Sequence, residues 1–600
     1  MTAYSRQKSS VRFGTGFGES IGKNQPYRMF SAPRVTGIGL RTVVPLFLLV
    51  GCFLLLAGRL AQLTIVRGVY FKELSDTNRI REERILAARG VIYARGGEVL
   101  AGNRPVYREC QTADPTVCRI ISRDDALEKE ARGLPIQLAL GRDYREATTA
   151  AHLVGYMTAI SPEELSTRNG AFYESSQAPG QFCQYCYGPD ELIGASGAEE
   201  IFETLLRGTP GKRMYEVDVN DVEIAELARI EPMPGSDIYL SLDLPLQRAA
   251  ADALERERAD DKVRSPGGAV IATDPKTGEI LALYSSPAFD PNVFVGVGDN
   301  PDRMIQDIFT TPAKPLFNRA LSGLYPPGST FKIITAAAGL EERAVGEDTT
   351  IEDTGVIHIG PYSYANWYFT KRGQTESEVT IVKALQRSND IFFYKLGEMV
   401  GIDAIEKWAG AFGVTAPIET EIGDGIAGII RQDRQWFLGD TYHAAIGQGD
   451  VVVTPLHVNS WMQIIANKGT YCPPTITGYR RPDTGGRKEC KDIGLSEKTV
   501  QLITEGLQAA CRTGGTAWPL FGFQISDAGD QKKEIPLACK TGTAEFGHPE
   551  DKTHAWLTAF APADDPEIVV TVLIEEGGEG SDIAAPVVKE ILEEWFARKK

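Results

Sequence analysis

Seventeen consecutive residues without a charge, Thr42 to Gly58 (TVVPLFLLVGCFLLLAG), cannot be left in water and set the first constraint on this 600-residue chain. At about 1.5 Å per helical residue the run is near the lower length limit for a helix crossing a bilayer. Arg59 interrupts it, and LAQLTIV continues to Val66. A snorkelling Arg59 lets the helix extend, so residues 42–66 are expected to form a membrane anchor. Residues 1–41 form a basic tail, with Arg6, Lys8, Arg12, Lys23, Arg28, Arg34 and Arg41 against one acid, Glu19. Arg67, Lys72, Arg79, Arg81 and Arg84 follow the span closely, so counting basic residues does not orient it. The short tail is the cheaper side to leave in the cytoplasm, which puts everything from about Leu60 outside. A cleaved signal peptide fits less well, because the basic segment is long and no small-x-small cleavage site follows. A lipoprotein reading of Leu49-Val50-Gly51-Cys52 is opposed by the uncharged run continuing past Cys52.

Composition restricts the remainder. Apolar residues make up 42% and charged residues 24%, values that leave material for a sizeable core. The length suits two or three folded units. A net charge of −17 makes nucleic acid an unexpected partner, because phosphate contacts need Lys and Arg. Six histidines argue against a histidine-rich metal enzyme. Beyond Cys52 lie Cys110, Cys118, Cys183, Cys186, Cys472, Cys490, Cys511 and Cys539. An even number outside the membrane points to disulfides, with Cys110–Cys118 and Cys472–Cys490 the first pairings that sequence proximity suggests. Cys183-Gln-Tyr-Cys186 reads as a redox pair or half a zinc site, without two further ligands nearby. Reduced, passive thiols are the alternative for all eight.

Residues 67–240 are rich in charge and turns. RILAARGVIYARGGEVLA alternates short apolar strands with Gly turns, Arg142 to Leu165 reads as helical, and Asp190–Arg213 holds a helix ended by Gly208 and Pro210. MYEVDVNDVEIAEL and DIYLSL alternate as strands. This mixed region carries no compact catalytic signature and is expected to be a pedestal. Residues 241–600 read differently. LDLPLQRAAADALERERAD is an amphipathic helix; GGAVIATD and EILALYSS are apolar strands joined by the turn PKTG. After a largely helical stretch over 290–510 come three more strands, EIPLACKTGTAE, HAWLTAFAP and EIVVTVLIEE. APVVKEILEEWFARK closes as a helix with Val588, Leu592, Trp595 and Phe596 on one face. The order predicts an α+β fold, a five-stranded antiparallel sheet between helices.

Chemistry concentrates in three places. In YPPGSTFKIITAAAGLEE, Pro326-Pro327-Gly328 breaks the chain and a helix starts near Ser329, so Ser329 and Lys332 share a face. A serine hydroxyl needs a base to become a nucleophile. A buried lysine serves if its pKa falls roughly three units from about 10.4, at about 4 kcal/mol. S-x-x-K alone says little, since Ser5…Lys8 and Ser20…Lys23 also fit. Lys276-Thr277-Gly278 is ordinary turn chemistry. Lys540-Thr541-Gly542-Thr543 instead continues an apolar strand and can lay a strand edge along a site. Between them, Ser388-Asn389-Asp390 opens a helical pattern.

Ser329…Lys332, Ser388 and Lys540-Thr541-Gly542 in this order resemble the motifs of active-site serine penicillin-binding proteins. With ARGVIYARGGEVLA, GASGAEEIFETLLRG, NRALSGLYPPGSTFK and GDTYHAAIGQGDVVVTPLH, the resemblance is to the class B members, D,D-transpeptidases of peptidoglycan synthesis, over nearly the whole chain. Trp436 to Thr441 leading into Ile446-Gly447-Gln448-Gly449, and Asp390 followed by Ile391-Phe392-Phe393-Tyr394, are most like the elongation type. The resemblance implies Ser329 as nucleophile towards the penultimate D-alanine carbonyl of a stem peptide, and Lys332 as its base. Ser388 would be the proton relay, and Asp390 would fix Lys332 and the substrate amide. Lys540, Thr541 and Thr543, with Gly542, would form the site for the terminal carboxylate. Backbone N–H groups of Ser329 and Thr543 would make the oxyanion hole, worth roughly 3 kcal/mol per donor. It further implies β-lactam binding, a D,D-carboxypeptidase side activity, a cytoplasmic N-terminus with the catalytic domain outside, and a SEDS-family glycosyltransferase within an elongation complex as partner. No cofactor is implied.

The chain departs from that pattern at several positions. Ala94 and Gly96 replace an Asp and an Asn common in the pedestal of relatives. Some elongation-type relatives hold zinc through Asp, His and Cys; here Asp353 is accompanied by Asn366, Arg372 and Asn389, so no metal is expected. Asp390 stands where most members carry Asn, and a carboxylate there raises the pKa of Lys332. A serine-histidine-acid hydrolase is disfavoured. The one G-x-S-x-G, Gly18 to Gly22, lies in the basic tail without a preceding strand, and His152, His443 and His554 read as packing or surface residues. Tyr364, Trp367 and Tyr368 either line a substrate groove or pack a core. A β-lactam-hydrolysing or sensing enzyme and a non-catalytic scaffold are the competing functions.

Overall fold

The computed structural model describes residues 40–110, 118–134, 136–175, 186–189, 191–219, 222–298, 300–431, 433–477, 489–526, 531–547 and 552–598. The basic tail up to residue 39, with its chance S-x-x-K and G-x-S-x-G matches, lies outside them. The described residues fall into two compact units, one reaching to Arg81 and including those within Tyr215–Glu226, the other comprising those within Glu82–Met214 and from Leu227 onward.

In the first unit a helix runs Leu40–Ala61, continues as a π-helical turn Gln62–Val66, and is followed by a helix Gly68–Arg79. Val44–Val66 is long and apolar enough to cross a membrane, and its leucines and phenylalanines are exposed. Arg59 donates to Gln62 Oε1 at 2.7 Å, so its charge is directed along the helix towards the end of the span. Cys52 is free and exposed.

The second unit begins with a five-stranded sheet built on Val99–Cys110, which pairs antiparallel with Ile136–Tyr144 from Ala101↔Tyr144 to Glu109↔Ile136. The helix expected over Arg142–Leu165 is therefore not continuous. Arg142 to Tyr144 end a strand, Ala151–Val154 is one helical turn, Met157–Ala159 is a strand, and a helix begins only at Pro162. The helix expected within Asp190–Arg213 is two short ones, Gly197–Ile201 and Glu203–Leu206. A buried ionic cluster joins these pieces. Arg89 pairs with Glu199 and Glu203, both at 2.7 Å, and Arg142 with Glu199 at 2.6 Å. Removing one member would leave an unpaired buried charge, a cost of about 3–5 kcal/mol.

The larger part of this unit holds the predicted sheet. Its strands are β1 (Gly268–Thr273), β2 (Ile280–Ser286), β3 (Ala538–Glu545), β4 (Thr553–Ala561) and β5 (Ile568–Ile574), in the spatial order β2-β1-β5-β4-β3. All neighbours are antiparallel. Period-two alternation separates the two faces. Leu557, Ala559, Val570 and Val572 point to a layer with α1 (Leu244–Ala259) and α8 (Ala585–Ala597), where Val588, Leu592, Trp595 and Phe596 are buried as expected. Trp556, Phe560, Val569 and Leu573 face the helical insert. That insert contains α2 (Lys332–Glu341), α3 (Trp367–Arg372), α4 (Ile381–Arg387), α5 (Asp390–Ala411), α6 (Pro455–Ala466) and α7 (Glu497–Ala510). β3 is an edge strand, and Cys511 at the end of α7 is disulfide-bonded to Cys539 within it. The expected Cys472–Cys490 bond is present. Cys186 is also in a disulfide, which removes the zinc half-site and the reduced-thiol alternative for these five cysteines. The Cys110–Cys118 pairing and Cys183 lie outside the described side chains.

Candidate active site

Ser329 sits in a 3₁₀ turn, Gly328–Phe331, that runs directly into α2. Gly328, Thr330 and Phe331 are buried, while Ser329 is partly open. Gly328 has φ 54°, a conformation that side chains rarely adopt, and donates its N–H to Gly447 O at 2.9 Å. A Cβ on Gly328 would lie 2.8 Å from Thr543 O, and one on Gly447 would lie 2.3 Å from Gly328 O. The turn is thus pressed between β3 and the 446–449 loop. Trp556 Nε1 donates to Pro326 O at 3.0 Å and fixes the entry to it.

Lys332, one turn on, is fully buried. Its ammonium donates to Asp390 Oδ1 at 2.6 Å, Ser388 O at 2.8 Å and Ser388 Oγ at 3.3 Å. Ser388 caps the C-terminus of α4 in the left-handed region, φ 54°, and Asn389 caps the N-terminus of α5 through Phe392 N at 2.9 Å. Lys540, also fully buried, reaches Ser388 Oγ at 2.9 Å and Thr541 O at 2.9 Å. Two amines and one carboxylate therefore meet around one hydroxyl. Burial lowers the pKa of Lys332, against Asp390, which raises it. Burial, then the charge of Lys332, lower Lys540 well below its ordinary value. A buried cluster of two ammonium groups and one carboxylate carries a net positive charge, and losing one proton neutralises it.

On β3 the side chains alternate, which sets Lys540 towards Ser388 and the threonine hydroxyls elsewhere. Thr541 Oγ1 bonds Thr516 Oγ1 at 2.8 Å, and Thr543 Oγ1 donates to Glu579 Oε2 at 2.9 Å. Glu579 also pairs with Lys371 of α3 at 2.5 Å. The first residue of α3 is tied back as well, since Trp367 N donates to Asp390 Oδ2 at 2.9 Å. Gly542 allows the strand to approach the Ser329 turn. A Cβ there would stand 3.0 Å from Pro327 O and Thr330 Cγ2, and 3.1 Å from Trp556 Cβ.

Lys332, Ser388, Asp390 and Lys540 are thus interlocked, and the Gly328–Phe331 turn that carries Ser329 lies against Gly542 and Thr543. Thr516 and Glu579 escaped the sequence reading, because each lies in a loop and belongs to no motif. Asp353 accepts from the amides of Asn366 and Asn389, both at 2.9 Å, and Arg372 is a cation, a donor set unsuited to a divalent metal. The histidines are structural. His152 bonds Pro315 O at 2.9 Å, His443 packs edge-on against Tyr364, and His554 stacks on Phe546. Tyr364 packs with Tyr394 and Tyr442, while Tyr368 OH bonds Gln374 at the surface. Lys276 pairs with Asp565 on the exposed hairpin.

Residues 268–593 match the penicillin binding protein transpeptidase domain, and residues 111–240 the penicillin-binding protein dimerisation domain. The chain is 30% identical to the peptidoglycan D,D-transpeptidase MrdA of Acinetobacter baumannii, over 92% of its own length and 87% of that protein's. A penicillin-binding protein (PBP2) of Helicobacter pylori, solved in complex with MreC, matches with a TM-score of 0.70 at 25% identity, covering 87% of this chain and 99% of that one. A chain from a peptidoglycan synthase complex that coordinates polymerization and crosslinking matches with a TM-score of 0.72 at 28% identity, covering 94% and 99%. Pedestal and catalytic region thus match one family along nearly their whole length: the chain belongs to the class B penicillin-binding proteins, the serine-type D,D-transpeptidases of peptidoglycan synthesis, and is of their elongation type.

Proposed function

We propose that residues 241–600 form the transpeptidase domain, and that Ser329 is the nucleophile that crosslinks stem peptides. The observation that carries this is the fully buried Lys332 ammonium, three residues after the partly open Ser329 and bonded to both Ser388 and Asp390. Lys332 takes the Ser329 Oγ proton as Oγ bonds to the carbonyl carbon of the penultimate D-alanine. The oxyanion rests on the N–H groups of Ser329 and Thr543. The C–N bond to the terminal D-alanine then breaks, its amine taking a proton through Ser388. The acyl-serine is released by an amine of a neighbouring stem, or by water as a D,D-carboxypeptidase side reaction. Thr541 and Thr543 bind the terminal carboxylate by their hydroxyls, displacing Glu579, while Lys540 acts from beneath through its charge. The arriving carboxylate raises the proton affinity of Lys540. A proton then moves from Lys332 through Ser388 to Lys540, leaving Lys332 neutral for its task. β-Lactams enter the same path and stop at the acyl stage.

The tail of residues 1–41 lies in the cytoplasm, residues 42–66 anchor the chain, and the pedestal of residues 67–240 and the catalytic domain lie in the outer compartment. There the pedestal meets an elongation complex containing a SEDS-family glycosyltransferase; that a relative was solved in complex with MreC supports a protein partner for this chain. Intact-mass measurement after penicillin treatment tests the assignment. The expected adduct maps to Ser329 and persists for many minutes, and Ser329→Ala takes up none. Uptake by that variant, or rapid turnover by the wild type, refutes it.

A further inference from the structure

We propose that Asp353 is the positioning residue of the Ser388–Asp390 turn, acting through Asn366 and Asn389; the proposal rests on the transpeptidase reading above. Asp353 ends a short strand, Ile351–Asp353, paired with Ser377–Val379, and is 3% exposed. Among the described residues it has no ion pair. Its charge is held instead by four neutral N–H donors. Oδ1 accepts from Gly355 N at 2.9 Å, and Oδ2 from Asn366 Nδ2 at 2.9 Å, Asn389 Nδ2 at 2.9 Å and Glu376 N at 3.0 Å. Because a carboxylate only accepts, both asparagine amides must turn their NH₂ groups towards it. Each amide oxygen is thereby aimed at the turn that holds Lys332. Asn366 Oδ1 accepts from Asp390 N at 3.3 Å, and Asn389 Oδ1 from Phe392 N at 2.9 Å.

The turn needs such support. Ser388 is a non-glycine residue at φ 54°, ψ 40°, a strained conformation that persists only where the surroundings enforce it. Both backbone N–H groups that fix Asp390 lead to the same cluster: its own, received by Asn366, and that of Trp367, the residue after Asn366, which donates to Asp390 Oδ2. Asp353 touches neither Lys332 nor Ser329, so it acts on the reaction through the placement of Asp390 and Ser388. An amide in its place would offer one acceptor oxygen to four donors and set an NH₂ group against them.

The test is the rate of acylation by a labelled penicillin as a function of pH, with Tm measured alongside, on the full chain. Asp353→Asn is expected to slow acylation about 10²-fold, the scale of a small misplacement of catalytic groups. Its pH profile should move to lower pH, because Asp390 no longer holds the Lys332 proton as firmly. A double variant, Asp353→Asn with Asn389→Asp, returns one carboxylate to the cluster and keeps a side chain able to cap α5. It is expected to recover at least about 10-fold in rate. A mere structural role would change Tm without moving the pH profile, and that outcome overturns the proposal. So does a wild-type rate and profile in Asp353→Asn, a folded double variant with no recovery, or failure of both variants to fold. If only Asp353→Asn fails to fold, an acylating double variant upholds the proposal and an inert one overturns it. A wild-type chain that takes up no penicillin sinks the transpeptidase reading itself, and this proposal with it.

Discussion

Ser388 Oγ lies between two buried amines, Lys332 at 3.3 Å and Lys540 at 2.9 Å, and Asp390 is the carboxylate paired with Lys332. On the mechanism proposed above, the acylating form requires neutral Lys332. Burial depresses its pKa, so the acylation rate is expected to rise with pH through a midpoint below the usual lysine range of about 10.4. Asp390 works against that depression. Asp390→Asn removes the opposing charge and is expected to shift the rising limb to lower pH, which stopped-flow acylation across a pH series will read. An unmoved limb would show that Asp390 acts by geometry alone. The sequence revealed the opposition between carboxylate and base, because Asp390 falls inside a motif. It did not reveal which effect is larger, since that depends on Lys332 being wholly out of water, a property of the packed insert.

The edge strand β3 and the Ser329 turn approach as closely as their glycines permit. Gly542→Ala places a methyl 3.0 Å from Pro327 O and is expected to lower stability by about 1–3 kcal/mol. The same displacement should cut penicillin acylation about 10²-fold. Tm and acylation measured on one preparation check both; loss of Tm without loss of rate would separate strand from turn. The five strands were legible because β4 and β5 alternate strictly between two cores and β1–β2 closes on a turn of its own. The two K-T-G triplets were separable for the same reason, one being a turn and the other a strand. Arg142–Leu165 was misread because its alanines and charged residues favour a helix locally. Its first residues are instead held in strand form by Val99–Cys110, more than thirty residues earlier. The Cys511–Cys539 bond was missed for a related cause, since only the packing of α7 against β3 brings those sulfurs together.

Across the whole molecule, His152 and His554 are held neutral by burial, each with its pKa lowered to about 4. In the unfolded chain a histidine titrates near 6.5, so between about pH 6.5 and about pH 4 only the unfolded chain takes up these protons. The stability from keeping both rings neutral is complete above that window and is lost as pH falls through it. Tm of the full chain should therefore decline from pH 6.5 to pH 4, and His554→Phe should reduce the decline. A flat profile would mean that both rings titrate as if exposed. The apolar span and the five-stranded sheet were readable from charge and periodicity. The pedestal's internal order was less so, because Arg89, Arg142, Glu199 and Glu203 are scattered in sequence and form one ionic cluster only after folding.

Cys539 directly precedes Lys540, and both its sulfur and that of Cys511 are shielded from solvent. Where oxidation is possible, the strand beneath the reacting groups is stapled to α7, and small thiols have little access to undo the bond afterwards. In a reducing milieu the same strand keeps its ladder to β4 without the staple. With the catalytic region outside, as proposed above, that covalent tie forms only after the polypeptide has crossed into its place of work.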